Sequence, residues 1–318
     1  MLLRGRKVRS LVHANEHPLD KLDTEIIKGD IGDIESLYKA FDGADIVYHL
    51  ASHISISMND WSLCEAINVI GTQNVVDACL HCNVKRLVYF SSIHTRMNKS
   101  KNQTIDESCP VIDSRNYPPY CYSKAIAEQY VINKVKDGLD AVIINPTAVI
   151  GPFDFQPSRF GKVILLLARH KLPVLIDGGF NWVDVRDVVE GAIRAEENGA
   201  TGSRYILSGH QATLPEVAGM LSSILDIGTP RIVIPGILSR AGIPLVEAVC
   251  RLRGTEPLYS KVAIDTLSNG CSISHNKATR ELGYQPRPLV ETLYDTLQWF
   301  IVNDYLSHTQ LSKCKGRH

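Results

Sequence analysis

The chain reads as an α/β protein built on a doubly wound parallel sheet, with a small C-terminal cap. Three observations predict this. Strand and helix signals alternate from the start, which argues for parallel strands covered by helices on both faces. The strands are continuous apolar and β-branched runs, such as Val84 to Phe90 and Ala141 to Ile144, as expected of strands buried on two sides. Hydrophobic residues make up 44% of 318 positions and charged ones 21%, which suffices for a large core with a smaller appendage.

Val8 to Val12 reads as a short strand, and Glu25 to Lys28 as a second, closed by Gly29-Asp30. Asp33 to Phe41 is predicted helical, Asp45 to Leu50 a strand, and Trp61 to His81 a long helix. The Val84 run then delivers two hydroxyls, Ser91 and Ser92, at its carboxyl end. In an open parallel sheet that end is where ligands sit. A helix opens just after Pro118 and Pro119 and ends near Gly138, and Ala141 to Pro146 follows as the next parallel strand.

Beyond Gly151-Pro152 the pattern predicts a helix over Ser158 to His170, a strand over Pro173 to Ile176 and a helix over Asp187 to Asn198. A strand over Arg204 to Leu207 and a helix over Leu214 to Leu225 come next. The last third sets Pro230, Pro235, Pro244 and Pro257 among short apolar helices, a cap over the strand ends, and closes with an amphipathic helix from Leu289 to Tyr305. His308 to His318 is polar and basic and reads as a frayed tail. The expected organisation is a core over 1–155, a mixed substrate-binding and cap region over 156–306, and a tail over 307–318.

Lys plus Arg equals Asp plus Glu at 34 each, so no overall field recruits nucleic acid or an anionic membrane, and a small-molecule substrate is the expected partner. Eight cysteines are scattered without framework spacing, which fits a reducing cytoplasm. Cys79 and Cys82 form a CxxC, but no second pair stands at zinc spacing, and the pair reads as a helix end. Apolar stretches are too short or too interrupted to span a membrane.

Tyr120 and Lys124 stand one helical turn apart, so a phenol and an ammonium share a helix face, where the cation can lower the phenol's pKa. A phenol so tuned passes a proton to or from a carbonyl oxygen. Tyr130 and Lys134 repeat the spacing. Ser92 at the preceding strand end favours the first pair, and Tyr130, on another helix face, reads as packing.

Several segments together resemble the extended short-chain dehydrogenase/reductase superfamily, also named after NAD-dependent epimerase/dehydratases. Gly29-Asp30-Ile31-Gly32-Asp33 looks like its GDxxD turn, and Val47-Tyr48-His49-Leu50-Ala51-Ser52 like its VxHxAA strand end. Asn68-Val69-Ile70-Gly71-Thr72-Gln73-Asn74 matches the NVxGTxN helix, and Tyr120-x-x-Ser123-Lys124-x-x-x-Glu128 the active-site helix. Asn145 to Pro152, Val183 to Val188 and Glu281 to Pro286 recur in the family in this order. Singly these motifs are weak; in series they are specific. Pro146-Thr147-x-Val149-x-Gly151-Pro152-Phe153 is most similar to the dihydroflavonol reductase and 3β-hydroxysteroid dehydrogenase branch. The Asp-Glu pair of the dehydratases is replaced by Ile93 and His94 after Ser92, which argues against sugar dehydration.

The resemblance implies a Rossmann-like fold that opens with a strand and a GxxGxxG turn holding the dinucleotide pyrophosphate. The sequence has no such segment. A strand, turn, helix, strand unit needs roughly thirty residues, and the chain is about twenty short of it. Either the start codon was assigned too far downstream, the preferred reading, or the chain lacks a central strand, in which case dinucleotide binding should be poor.

The resemblance further implies Ser92, Tyr120 and Lys124 as catalytic residues. Tyr120 would protonate the carbonyl oxygen, Ser92 would hydrogen-bond it, and Lys124 would hold the nicotinamide ribose. Asp30 would meet the adenine with Ile31 packed on the ring, Leu50, Ala51 and Ser52 would line the cofactor groove, and Pro146 and Val149 would pack on the nicotinamide. Each is also a reasonable turn or core residue. His49 reads as a buried strand histidine, and Asp187 with Glu190 as a capping box. His13 ends the strand from Val8, where an acid would bind the ribose hydroxyl of NAD and an arginine the 2′-phosphate of NADP, so NADP is slightly favoured over NAD.

Substrate would be shaped by Gln156 to Phe180 and Pro230 to Leu267, whose apolar bias suits a hydrophobic ketone, aldehyde or steroid-like alcohol; Arg159, Arg231 and Arg240 are the few candidates to clamp a diphosphate. The leading expectation is an NAD(P)-dependent oxidoreductase acting on a carbonyl or secondary alcohol. A nucleotide-sugar epimerase with tightly bound NAD, and a non-catalytic relative impaired in cofactor binding, stay open. A homodimer through the helices Trp61 to His81 and Tyr120 to Val135 is the assembly that many relatives imply.

Overall fold

In the computed structural model, residues 1–14, 17–97, 103–172, 174–230, 232–235 and 271–307 are described. Most of the expected cap, with Arg231 and Arg240, and the tail from His308 lie outside the described residues.

In chain order the strands are β1 (Arg9–Val12), β2 (Glu25–Lys28), β3 (Ile46–His49), β4 (Arg86–Phe90), β5 (Ala141–Pro146), β6 (Ala148–Ile150), β7 (Val174–Ile176), β8 (Gly179–Asp184), β9 (Arg204–Leu207), β10 (His210–Thr213) and β11 (Ile232–Ile234). The helices are α1 (Ile34–Phe41), α2 (Trp61–Cys64), α3 (Gly71–His81), α4 (Pro119–Lys136), α5 (Arg159–Ala168), α6 (Val185–Asn198), α7 (Leu214–Leu225), α8 (Asn276–Leu282) and α9 (Leu289–Val302). The expected long helix over Trp61 to His81 is present, but a π-helical segment, Glu65–Ile70, separates α2 from α3.

The chain folds as two compact units. The first comprises Met1–Met97, Pro110–Asn145 and Ala192–Tyr205, and the second Asn98–Cys109, Pro146–Gly191 and Ile206–His318.

In the first unit β3, β4 and β5 run parallel in that order, followed by β9. Val47 pairs with Leu87, and Leu87 with Ala141, so the three carboxyl ends emerge in register. Four consecutive residues of β5, Ala141 to Ile144, are buried, as the apolar run predicts for a strand covered on both faces. Helices α1, α3 and α4 supply Leu37, Phe41, Val75, Val76, Ala127 and Val131 to the core against this sheet. β1 and β2 form a separate parallel pair, and among the described residues no strand joins them to β3.

Gly71 opens α3 at a close approach: a methyl group there would stand 2.5 Å from Ile31 Cδ1. Any larger residue there would push the Ile31 side chain aside, and the contact seats the turn after β2 on the helix. Tyr130 donates from its hydroxyl to Asp77 at 2.9 Å, so it packs α4 on α3 as expected. Cys79 is buried and Cys82 caps α3, in accord with a helix end.

In the second unit β6 lies parallel to β8, and β10 antiparallel to it, while β7 and β11 form a further parallel pair. Among the described residues the strands group into four sheets. Helices α5, α7 and α9 bury Ile164, Leu221, Leu293 and Phe300 in a second core. The capping box expected of Asp187 and Glu190 is not what forms. The helix begins two residues earlier, Asp184 accepts from the Arg186 amide at 2.8 Å, and the Asp187 carboxylate instead binds the Arg287 side chain and amide at 2.9 and 2.8 Å.

Candidate active site

The site grows from the carboxyl ends of β3 and β4 and the first turns of α4. Pro118 and Pro119 open α4, where a missing N–H costs nothing and a fixed φ favours the first helical turn. Tyr120, Lys124 and Glu128 then follow at intervals of one turn along one face.

Each of them meets the end of β4. Tyr120, half-buried, is paired through its hydroxyl with Ser92, an interaction that favours the phenolate. The Ser92 oxygen also accepts from the His94 amide at 3.2 Å, which fixes its rotamer. Ser91 turns the opposite way, as strand alternation requires, and donates to Glu128 at 2.6 Å.

Lys124 is 2% exposed. Its ammonium donates to the Phe90 carbonyl at 2.5 Å and lies 4.7 Å from the centre of the Tyr89 ring. Burial pulls its pKa down to about 7, against the opposing charge of Glu128. Tyr120 is pushed up to about 12, because burial disfavours the phenolate and the Ser92 bond offsets only part of that. This corrects the expectation of an acidified phenol. The physical reason is that burial disfavours the phenolate, and Lys124 contributes no offsetting attraction to it.

Two buried hubs hold the arrangement, and sequence reasoning assigned a role to neither. Asn68, in the π-helical segment, accepts from the Ser52 hydroxyl at 3.0 Å and the His53 amide at 2.8 Å, and donates to the His53 carbonyl at 3.0 Å and Ser123 Oγ at 2.9 Å. It ties the loop after β3 to α4. A π-helical turn is frequent at functional positions, and here it presents Asn68 between the two elements.

Glu128 accepts from Ser91, from Thr95 at 3.1 Å, from Asn145 at 2.9 Å, from Arg204 at 2.7 Å and from Arg96. Burial works to raise its pKa, but Arg96, these hydrogen bonds and Arg204 outweigh it, so the carboxyl stays below its usual range. The spacing from Tyr120 and Lys124 was the available signal for Glu128, and the NVxGTxN motif for Asn68.

The structure also brings His13 and Asp30 together: Nε2 lies 3.2 Å from Oδ2, with both side chains open to solvent. Asp30 Oδ1 accepts from the Gly32 amide at 2.7 Å. Ile31, expected on an adenine ring, has its tip against Gly71. Leu50 is 64% exposed, Ala51 is exposed, and Ser52 is held by Asn68. His49 is buried, bonded to Thr72 at 3.0 Å, and lowered to about 3 by burial and by Lys124, so it stays neutral as a structural residue. Pro146 and Val149 belong to the second unit, where both are half-buried and Val149 pairs with Val183.

The end of β4 thus holds a strand-end hydroxyl beside a phenol with a buried amine one helical turn on, and the parallel α/β fold that carries them is that of the extended short-chain dehydrogenase/reductase superfamily. The chain belongs to the NAD dependent epimerase/dehydratase family, whose sequence model matches residues 2–207. It is 30% identical to sterol demethylase protein B of Methylococcus capsulatus over 94% of this chain and 92% of that protein. It is 29% identical to 3beta-hydroxysteroid-dehydrogenase/decarboxylase isoform 1 of Arabidopsis thaliana over 87% of this chain and 66% of that one. The crystal structure of gox2253 superposes with a TM-score of 0.83 at 30% identity, covering 96% of this chain and 94% of that one. These relatives agree with the branch that the motifs resemble. Among the described residues no helix is long and apolar enough to cross a membrane.

The residues present fit a pyridine dinucleotide at its two ends. Leu50 leaves an apolar surface at the end of β3 for a flat ring, and the Lys124 ammonium has donors beyond the one that Phe90 takes, as ribose hydroxyls require. Asp30 and His13, the pair expected at the adenosine, stand just beyond the ends of β2 and β1. A glycine-rich turn for the diphosphate does not occur between Met1 and His318.

Proposed function

We propose that this chain catalyses hydride transfer between a nicotinamide dinucleotide and a carbonyl or secondary alcohol of an apolar substrate. The Ser92–Tyr120 hydrogen bond at the end of β4 carries this reading. When bound, the reduced nicotinamide supplies the hydride. Tyr120 gives its proton to the carbonyl oxygen as charge develops there, and takes one from the alcohol in the reverse direction. A phenol with a pKa raised to about 12 keeps that proton loaded at neutral pH, which suits reduction. Ser92 hydrogen-bonds the same oxygen and orients it. Lys124 holds the ribose hydroxyls, and Asn68 and Glu128 keep the three groups in register.

The similarity to a sterol demethylase protein and to a hydroxysteroid dehydrogenase/decarboxylase supports a ring ketone or its alcohol as substrate. NADP is the preferred cofactor in this reading, with His13 toward the 2′-phosphate. Homodimer formation through α2, α3 and α4 is supported by exposed Leu63 and Ile70, and sedimentation showing only monomer contradicts it.

Following reduced nicotinamide absorbance with NADPH and a panel of steroid ketones and aromatic aldehydes tests the function. Net NADPH oxidation with a ketone supports it. Tightly held dinucleotide at one per chain without net consumption favours the epimerase reading, and a folded chain that binds no dinucleotide contradicts both.

A further inference from the structure

We propose that His53, Asp60 and Cys64, in the loop after β3 and the turn of α2, form a binding site for a zinc-class divalent ion. The ligand atoms of the three lie within 4.8 Å of one another. A tetrahedral zinc, with bonds of about 2.0–2.3 Å, sets its ligand atoms about 3.3–3.6 Å apart, so shifts of about 1 Å suffice to close the cluster on an ion. His53 Nε2 and Asp60 Oδ2 are 2.7 Å apart, and an ion would enter between them.

Each ligand is held by a second group, the arrangement that orients metal ligands. Asn68 binds both the amide and the carbonyl of His53, at 2.8 and 3.0 Å, so the imidazole has only its own rotamers to adjust. Asp60 is hydrogen-bonded to Ser55 as well as His53, and Cys64 to Ser123. Asp60 occupies the N-cap of α2 without making a side-chain cap bond, so its carboxylate is committed to His53 and not to the helix. The thiol is buried while His53 and Asp60 side chains are 27% and 31% exposed, which gives an ion a route in from solvent.

One nitrogen, one oxygen and one sulfur ligand select zinc, cobalt or copper over magnesium or calcium. Three protein ligands leave a fourth position for water or an added thiol. An ion there would clamp the loop after β3 to the start of α2, the segment that Asn68 also ties to α4.

Titration of the chelator-washed full chain with Co2+ tests the site, because a cobalt–thiolate bond gives a charge-transfer absorption and Zn2+ should displace it. The expected result is one Co2+ per chain with that absorption, and a melting temperature raised by Zn2+, since the ion binds the folded state. Cys64→Ser should abolish the absorption, and His53→Gln should weaken binding by at least about tenfold. Should Cys64→Ser fail to fold, as read by circular dichroism, His53→Gln and Asp60→Asn at the half-exposed ligands decide the matter. Absence of a thiolate band in the wild type, or a band and a thermal shift that persist in these variants, overturns the proposal.

Discussion

The ammonium of Lys124 donates to the Phe90 carbonyl oxygen at 2.5 Å, with its stem buried beside the Tyr89 ring. An amine in this position has a pKa lowered from 10.5 to about 7 by desolvation. Between these values the unfolded chain binds a proton that the folded chain does not, so stability rises with pH, and the penalty is complete below about pH 7. Wild type should therefore gain stability relative to Lys124→Met on going from pH 7 to pH 10.5, measured by urea denaturation. A difference independent of pH would show that the amine is solvated.

Within the first unit Glu128 accepts from Arg96, Arg204, Ser91 and Asn145. Removing it leaves the buried Arg96 guanidinium without that carboxylate and close to Arg204, which also bonds Glu128. Glu128→Ala should cost about 3–5 kcal/mol in equilibrium denaturation, the scale for breaking a buried pair. A cost below about 1 kcal/mol would mean that water reaches the cluster.

Asn68→Ala should destabilise by about 2–4 kcal/mol, because it strands the His53 amide and carbonyl and a Ser123 contact. Since the same bonds hold the loop that follows β3, dinucleotide KM should rise more than kcat falls. The reverse pattern in steady-state kinetics would place Asn68 in the chemical step instead.

Much of this arrangement was legible in the sequence because it is local. Tyr120 and Lys124 are one turn apart on one helix, and Ser92 ends an apolar strand, so periodicity alone brings them to the same end of the sheet. What Lys124 does there was not legible: its pKa follows from burial and from the Phe90 carbonyl, which are tertiary facts. Asn68 was hidden because a π-helical turn departs from the 3.6 period, and Glu128 because its guanidinium partners come from distant positions. Strands β8 and β10 escaped notice since Asn181, His210 and Gln211 interrupt any apolar run. Asp187 has the local pattern of a cap, but its partner Arg287 is remote in sequence and invisible to that pattern.

His13 and Asp30 already share a contact of 3.2 Å, so charge at position 13 is felt where the adenosine would sit. His13→Asp sets a second carboxylate there and should shift preference from NADP toward NAD on the order of tenfold. His13→Arg should shift it the other way. Equal Kd ratios for the two dinucleotides in all three proteins, by fluorescence titration, would remove position 13 from cofactor choice.

The most direct test of the account is the turnover of Tyr120→Phe with NADPH and the best ketone substrate, measured beside its dinucleotide Kd. Loss of kcat by about 10²–10⁴-fold with Kd unchanged is the predicted result, since only the proton donor is removed. Turnover at the wild-type rate would contradict the assignment of Tyr120 as the acid.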